Sequence, residues 1–194
     1  MTASTSLTQF LKTHTFVMPG EAKSLGIRKM TLTRLVKQGH LLRVEREIYT
    51  HDLEWLAHPA KKYIAVCTLY PEAVISGISA LAYHDLTDNE ERKIWVAVPH
   101  KKRIFNPRLR VIRPTEVSMT LGVIKIVFGE REIRVFNKEK AVVDAFKYLS
   151  EEVAMKALRA YLKSKGRNVE KLLDYGRRLN KPLGEPVKIL LSEE

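Results

Sequence analysis

The chain has 194 residues, enough for one large domain or two small ones, and 45% of them are apolar, as in a packed globular protein. No apolar run reaches membrane-spanning length, the N-terminal MTASTSLTQF has no charged segment leading into an apolar one, and the single Cys67 lies within the apolar IAVCTLY. A transmembrane helix, a signal peptide and an intramolecular disulfide framework are therefore not expected, and a buried thiol in a reducing cytoplasm is; the net charge of +12 calls for a polyanionic partner and not for a membrane.

Residues 6–18 offer Leu7, Phe10, Leu11 and Phe16 to a first helix, with Thr5 or Ser6 as its cap. Pro19 then suits the first position of a short second helix that presents Ala22 and Leu25, and Gly26 suits the left-handed position ending it. A third helix is predicted over about 28–38, closed by Gly39, with Leu32, Leu35 and Val36 on one side. At 3.6 residues per turn, Met30, Thr33, Arg34 and Lys37 fall on the opposite side. Leu41, Val44, Ile48 and Tyr49 follow in a tight two-stranded ribbon that carries Arg43 and Arg46.

This order is that of a winged helix-turn-helix, whose second motif helix enters the DNA major groove. A solvated helix back normally mixes Glu with Lys, whereas Met30, Thr33, Arg34 and Lys37 include no acid, which favours DNA over a merely soluble face.

HDLEWLAHPA breaks the pattern, and Pro59 punctuates it, so the domain boundary is placed there: 1–58 as the DNA-binding domain and 59–194 as a second domain. In the second domain, 61–70 reads as a helix stopped by Pro71, and Ser79, Ala80, Leu81 and Tyr83 look helical again. IWVAVP (94–99) and LRVIRP (109–114) read as strands joined by the basic loop HKKRIFNPR, and 123–136 as a hairpin around Gly129-Glu130. Strands thus occupy about 94–136 and helices about 137–190, beginning with one capped by Asn137 and continuing over about 151–165 and 168–180. The fold class is α+β: an N-terminal winged helix followed by a mixed α/β domain with a small sheet and C-terminal helices.

In the two late helices Ala154, Ala157, Leu158 and Tyr161, then Val169, Leu172, Leu173, Gly176 and Leu179, fall on the inner sides. Lys156, Arg159 and Lys163, then Lys171 and Arg178, fall on the outer ones. Together with Lys101, Lys102 and Arg103 they make a second basic surface, which fits RNA or promoter DNA. Charge distribution agrees: residues 1–60 carry a net +3 and residues 61–194 a net +9.

Catalytic and ligand motifs are not found. The six histidines are scattered, Cys67 has no partner, and neither a GxxxxGK[ST] nor a GxGxxG loop occurs, so no metal, cofactor or catalytic residue is assigned. Ser76-Gly77 and Asp85-Leu-Thr-Asp88 have the wrong order and gap for a nucleotidyltransferase. A metal-dependent nuclease using Asp85, Asp88 and Lys93 is one rival reading, and a plain winged-helix regulator with a sensing or dimerising second domain is another.

The runs SLGIRKMTLTRLVKQGHLLRVEREIYT, PEAVISGISALAYHDLTD, IWVAVP and IRVFNKEKAVVDAF, in that order, resemble the AbiEi-type antitoxins of type IV, abortive-infection toxin–antitoxin systems. SGISALAYHDLTD is the most specific part, and the likeness covers roughly residues 7–148. It implies a non-enzymatic cytoplasmic protein in phage defence, whose winged helix binds operator DNA and represses its own operon. It also implies a second domain needed for antitoxicity, opposing a neighbouring nucleotidyltransferase toxin without a stable complex. The DNA-reading positions carry over to Thr33, Arg34 and Lys37 on the third helix and to Arg43 and Arg46 at the ribbon. Three departures stand out. Glu47, two residues after Glu45, replaces a Gly common before the Ile-Tyr pair; His84-Asp85-Leu86-Thr87 replaces His-Gly-Leu-Thr; and Lys140 stands where Thr is common.

Overall fold

A computed structural model of the chain describes residues 3–45 and 47–192. They fall into two compact units, one of residues up to Pro71 together with Val127–Ile133, the other of Glu72–Ile126 together with the residues from Arg134. The contiguous part of the first unit ends at Pro71, beyond the Pro59 boundary read from the sequence. Alternating apolar residues could not show it, because the helix before Pro71 is apolar on nearly every side.

The first unit begins with α1 (Ala3–Leu11), α2 (Pro19–Ser24) and α3 (Lys29–Lys37). Because α1 starts at Ala3, Thr5 and Ser6 lie inside it and neither is its cap. Glu21 in the first turn of α2 accepts the Met18 N–H at 2.8 Å, closing the helix start. After α2 the chain turns at Gly26 (φ 76°), and the Ile27 N–H reaches back to the Ala22 carbonyl at 2.8 Å. Leu7, Val17, Ala22, Ile27, Leu32, Leu41 and Tyr49 form one buried cluster, with Leu35 and Val36 packed against it. The apolar side predicted for α3 is thus the side that is covered.

Strands β1 (Leu42–Glu45) and β2 (Ile48–Thr50) pair antiparallel with a bulge between Arg43 and Glu45. Val17 adds a single bridge to Tyr49, exchanging hydrogen bonds of 2.8 and 3.0 Å. Two further helices, α4 (Glu54–Ala57) and α5 (Lys61–Leu69), complete the contiguous part, and Tyr63 to Cys67 are buried.

The hairpin tip supplies what the N-terminal segment lacks. The Glu130 carboxylate accepts the backbone N–H groups of Thr15 and Phe16, both at 2.9 Å. Arg131 donates through Nη2 to both carboxylate oxygens of Glu21, at 2.6 and 2.8 Å.

The second unit is built on a five-stranded sheet in the order β5-β4-β3-β7-β6, of which residues 127–133 at the β6–β7 tip belong to the first unit. Its strands are β3 (Val74–Ile75), β4 (Ile94–Ala97), β5 (Leu109–Ile112), β6 (Val123–Phe128) and β7 (Arg131–Phe136), the last two being the predicted hairpin. β3 lies antiparallel to β4 and parallel to β7, and β4 and β5 are parallel. The helices are α6 (Gly77–Tyr83), α7 (Glu116–Thr120), α8 (Lys138–Tyr148), α9 (Glu151–Lys163), α10 (Val169–Arg178) and α11 (Gly184–Ser192). Asn137 caps α8 as predicted, accepting the Lys140 N–H at 3.0 Å. The coarse class is confirmed: mixed helix and strand, with small sheets and C-terminal helices.

Helix α8 buries Glu139, Lys140, Ala141, Val142, Val143, Asp144 and Ala145 in one run. Lys140 pairs with Asp144 at 2.5 Å, and its ammonium lies 4.2 Å from the Phe136 ring centroid. Burial pushes the Lys140 ammonium down and the Asp144 carboxyl up, and the attraction between them opposes both shifts. Glu139 accepts from the Tyr161 hydroxyl at 3.1 Å and pairs with Lys171 at 3.3 Å.

Two stability outcomes are expected. Burial raises the Glu130 carboxyl, but the N–H donors and Arg131 outweigh it and hold Glu130 below the ordinary glutamate value of 4.5. Its contribution is therefore complete above about pH 4.5 and is lost as pH falls through the lower folded value. Glu130→Gln should cost about 1–2 kcal/mol at pH 7 and remove that part of the acid dependence, read by urea melts from pH 7 to 3. Asp144→Asn, which strands the Lys140 ammonium, should cost about 3–5 kcal/mol, whereas the double change Lys140→Met, Asp144→Leu should recover most of the loss. Paired thermal melts distinguish these outcomes.

Candidate nucleic-acid interface

In the first unit α3 presents one continuous exposed face. Met30 is 84% exposed, and Thr33, Arg34 and Lys37 are exposed beside it. The Thr33 hydroxyl donates to the Lys29 carbonyl at 3.3 Å, a contact that leaves its oxygen open to accept. Arg28 and Lys29 extend the same exposed strip at the start of the helix. Cations are disfavoured at a helix N-terminus by about 0.3–1 kcal/mol, so helix stability does not account for them there. The sequence reading passed over both, although two adjacent cations at the start of a helix are a visible signal.

Arg43 is exposed on β1. Arg46, the other predicted ribbon contact, lies outside the described residues. Glu47 stands in the left-handed region (φ 65°), and its carboxylate pairs with Lys29 at 2.9 Å, so this acid engages the start of α3. Asp85 is likewise left-handed (φ 56°). These are the two positions at which the resemblance in the sequence leads one to expect Gly, and both have the backbone that Gly adopts without strain.

The second basic surface divides on inspection. Lys156 pairs with Glu152 at 2.9 Å, and Arg178 lies 3.7 Å from Asp174. Arg159 and Lys163 are exposed as expected. Lys171 is not an outward cation: it is half-buried, pairs with Glu139 and sits 5.6 Å from the centre of the Tyr175 ring. Helical spacing placed it opposite the apolar side, but the buried Glu139 carboxylate draws it inward. Lys101 and Arg103 are exposed, and Lys102 pairs with Glu72 at 2.7 Å.

The carboxylates and histidines do not gather. Among the described residues no three His, Cys, Asp or Glu side chains are placed to hold a metal ion. His84 Nε2 lies 2.8 Å from the Phe136 carbonyl, and burial lowers its pKa, so the His84–Asp85 neighbours form a structural bond and a turn. No helix is long and apolar enough to cross a membrane among the described residues.

Relief of the left-handed backbone by Glu47→Gly should raise stability by up to about 1 kcal/mol, offset in part by loss of the carboxylate's contacts, the 2.9 Å pair with Lys29 among them. The substitution should also tighten duplex DNA binding by freeing Lys29 and removing a negative charge, which melting and a salt-controlled binding titration can read together.

No protein-family profile matches the chain, and no curated protein matches it. Among solved structures it is similar to the Rv2827c protein from Mycobacterium tuberculosis, at 13% identity and a TM-score of 0.56, over 100% of this chain and 82% of that one. At that identity the likeness concerns the fold alone.

Proposed function

We propose that the chain is an AbiEi-type antitoxin: a winged helix-turn-helix protein that binds operator DNA, represses its own operon, and opposes a neighbouring nucleotidyltransferase toxin without a stable complex. The observation that carries the DNA reading is the acid-free face of α3, where Met30, Thr33, Arg34 and Lys37 are all exposed on a helix whose other side is packed. Three helices, a ribbon and the Val17–Tyr49 bridge are the parts a winged helix needs, with α3 as the groove-entering element. Arg34 and Lys37 serve phosphates or guanine edges, Thr33 either, and Arg43, with Arg46, the flanking backbone.

The antitoxin reading rests on the sequence resemblance, and the left-handed backbone at Glu47 and Asp85 supports it. Both positions are ones where the resemblance implies Gly, and a chance likeness in sequence has no reason to coincide with that geometry. The protein works in the cytoplasm, and we assign it no enzymatic activity, metal or cofactor.

Replacing Arg34 and Lys37 with Ala should leave melting unchanged, since both side chains are exposed. Operator affinity should fall by about 1–3 kcal/mol per lost contact, and the salt dependence should flatten by about 0.9 per lost phosphate contact. Gel shift on the chain's own promoter measures this. In cells that also express the adjacent gene, the same variant should still rescue growth, because repression is not what opposes the toxin. Normal promoter binding by the double variant would remove α3 from the interface, and a neighbouring gene that proves harmless when expressed alone would remove the antitoxin reading.

A further inference from the structure

The crossover between β4 and β5 carries a charge pattern that the two late helices do not. From Arg92 to Thr115 the chain holds Arg92, Lys93, Lys101, Lys102, Arg103, Arg108, Arg110 and Arg113 and not one Asp or Glu. In the middle stands Phe105, 94% exposed, more than any other large apolar side chain among the described residues. A single exposed apolar side chain needs no explanation by itself. An exposed aromatic ring within a run of eight cations and no acids does.

Backbone bonds gather these residues along the β4–β5 edge. The Ile94 N–H donates to the Arg108 carbonyl at 3.0 Å, bringing Arg92 and Lys93 beside Arg108, and Trp95 is registered against Arg110. The Arg110 guanidinium lies 5.5 Å from the centre of the Trp95 ring, a flat cation held at the start of the edge strand. At the other end the Val98 N–H donates to the Ile112 carbonyl at 3.1 Å. There Arg113 holds the Lys102 carbonyl through Nε and Nη2, at 3.2 and 3.1 Å. The Asn106 side chain accepts the Arg108 N–H at 3.0 Å, so the turn beside Phe105 is also fixed. Of the acids beside this run, Glu72 pairs with Lys102, Glu90 pairs with Arg92, and Glu91 meets the Ser79 hydroxyl.

We propose that this crossover binds single-stranded nucleic acid, with a base stacked on Phe105 and the phosphates following Lys101, Arg103 and Arg110. An exposed ring among cations is how proteins hold unpaired strands without reading their sequence, each base offering a π-face and each phosphate a charge. A duplex cannot use the ring, because its bases are stacked on one another. The fixed loop limits the entropy lost on binding. Neither stacking nor phosphate contact involves the 2′-hydroxyl, so RNA and DNA strands of one sequence should bind alike. The site shares no residue with α3 and does not rest on the antitoxin reading.

The test is fluorescence anisotropy of the full chain with labelled single strands of about ten nucleotides, RNA and DNA, beside the promoter duplex. Phe105→Ala should weaken single-strand binding about ten-fold, Phe105→Trp should restore it, and promoter affinity should be unchanged in both. Arg103→Gln with Arg110→Gln should flatten the salt dependence by about 0.7 per lost contact. Arg34→Ala with Lys37→Ala should do the reverse, sparing the single strand. Single-strand binding unaffected by Phe105→Ala, or an equal loss on single strand and duplex, overturns the proposal. So does a Phe105-dependent association with phosphatidylserine vesicles in the absence of oligonucleotide binding.

Discussion

Helix α8 carries Glu139, Lys140 and Asp144 into the interior of the second unit, and a helix buried on so many sides is tolerable only if each charge finds a partner. Lys140 and Asp144 lie one turn apart and neutralise one another, while Glu139 is satisfied by Tyr161 and Lys171 from the two helices packed beside it. The pairing is directional, which apolar contacts are not. Glu139 fixes how α9 and α10 meet α8, since Tyr161 also accepts the Asn168 N–H at 2.7 Å just before α10 begins. Burial and the Glu139 charge raise the Tyr161 hydroxyl far above its ordinary value, so it stays protonated and keeps donating. A polar network of this kind specifies one arrangement where a purely apolar core would accept several.

The outer sides of α9 and α10 are less basic than their composition implies. Part of the positive charge on α9 and α10 is spent locally, on Glu152, Asp174 and the buried Glu139. The exposed pairs on Glu152 and Asp174 contribute little to stability, but they do reduce the field available to a polyanion. The β4–β5 crossover differs because it lacks acids over its whole length, and α3 differs because its exposed face has none.

Much of this was legible in the sequence where periodicity or turn chemistry spoke. The apolar side of α3, the Gly26 and Gly39 turns, the 123–136 hairpin and the Asn137 cap all follow from residues within a few positions of each other. What escaped was short or distant. β3 has two residues, and α4 and α7 about one turn each, too little for a period to register. Lys171 looked outward because its spacing did not disclose a carboxylate more than thirty residues earlier in the chain. Glu130 looked like an ordinary turn residue because the N–H groups it serves are more than a hundred residues away. In the candidate interface, Thr33, Arg34 and Lys37 could be picked from the wheel, whereas Phe105 drew no notice because exposure, which gives it meaning, is a property of the folded chain.

The tip of the β6–β7 hairpin has a consequence for how the protein comes into being. Residues 127–133 belong with a unit whose contiguous part ends at Pro71, so that unit is incomplete when its own stretch leaves the ribosome. At translation speeds of about 5–20 residues per second, roughly 3–12 s separate the two pieces. During that interval the N–H groups of Thr15 and Phe16 lack the carboxylate that later receives them, and Glu21 lacks Arg131. Synthesis order thus makes the N-terminal unit a late arrival: a nascent chain stopped before the hairpin holds every residue of the α3 face but not the clasp that completes its setting.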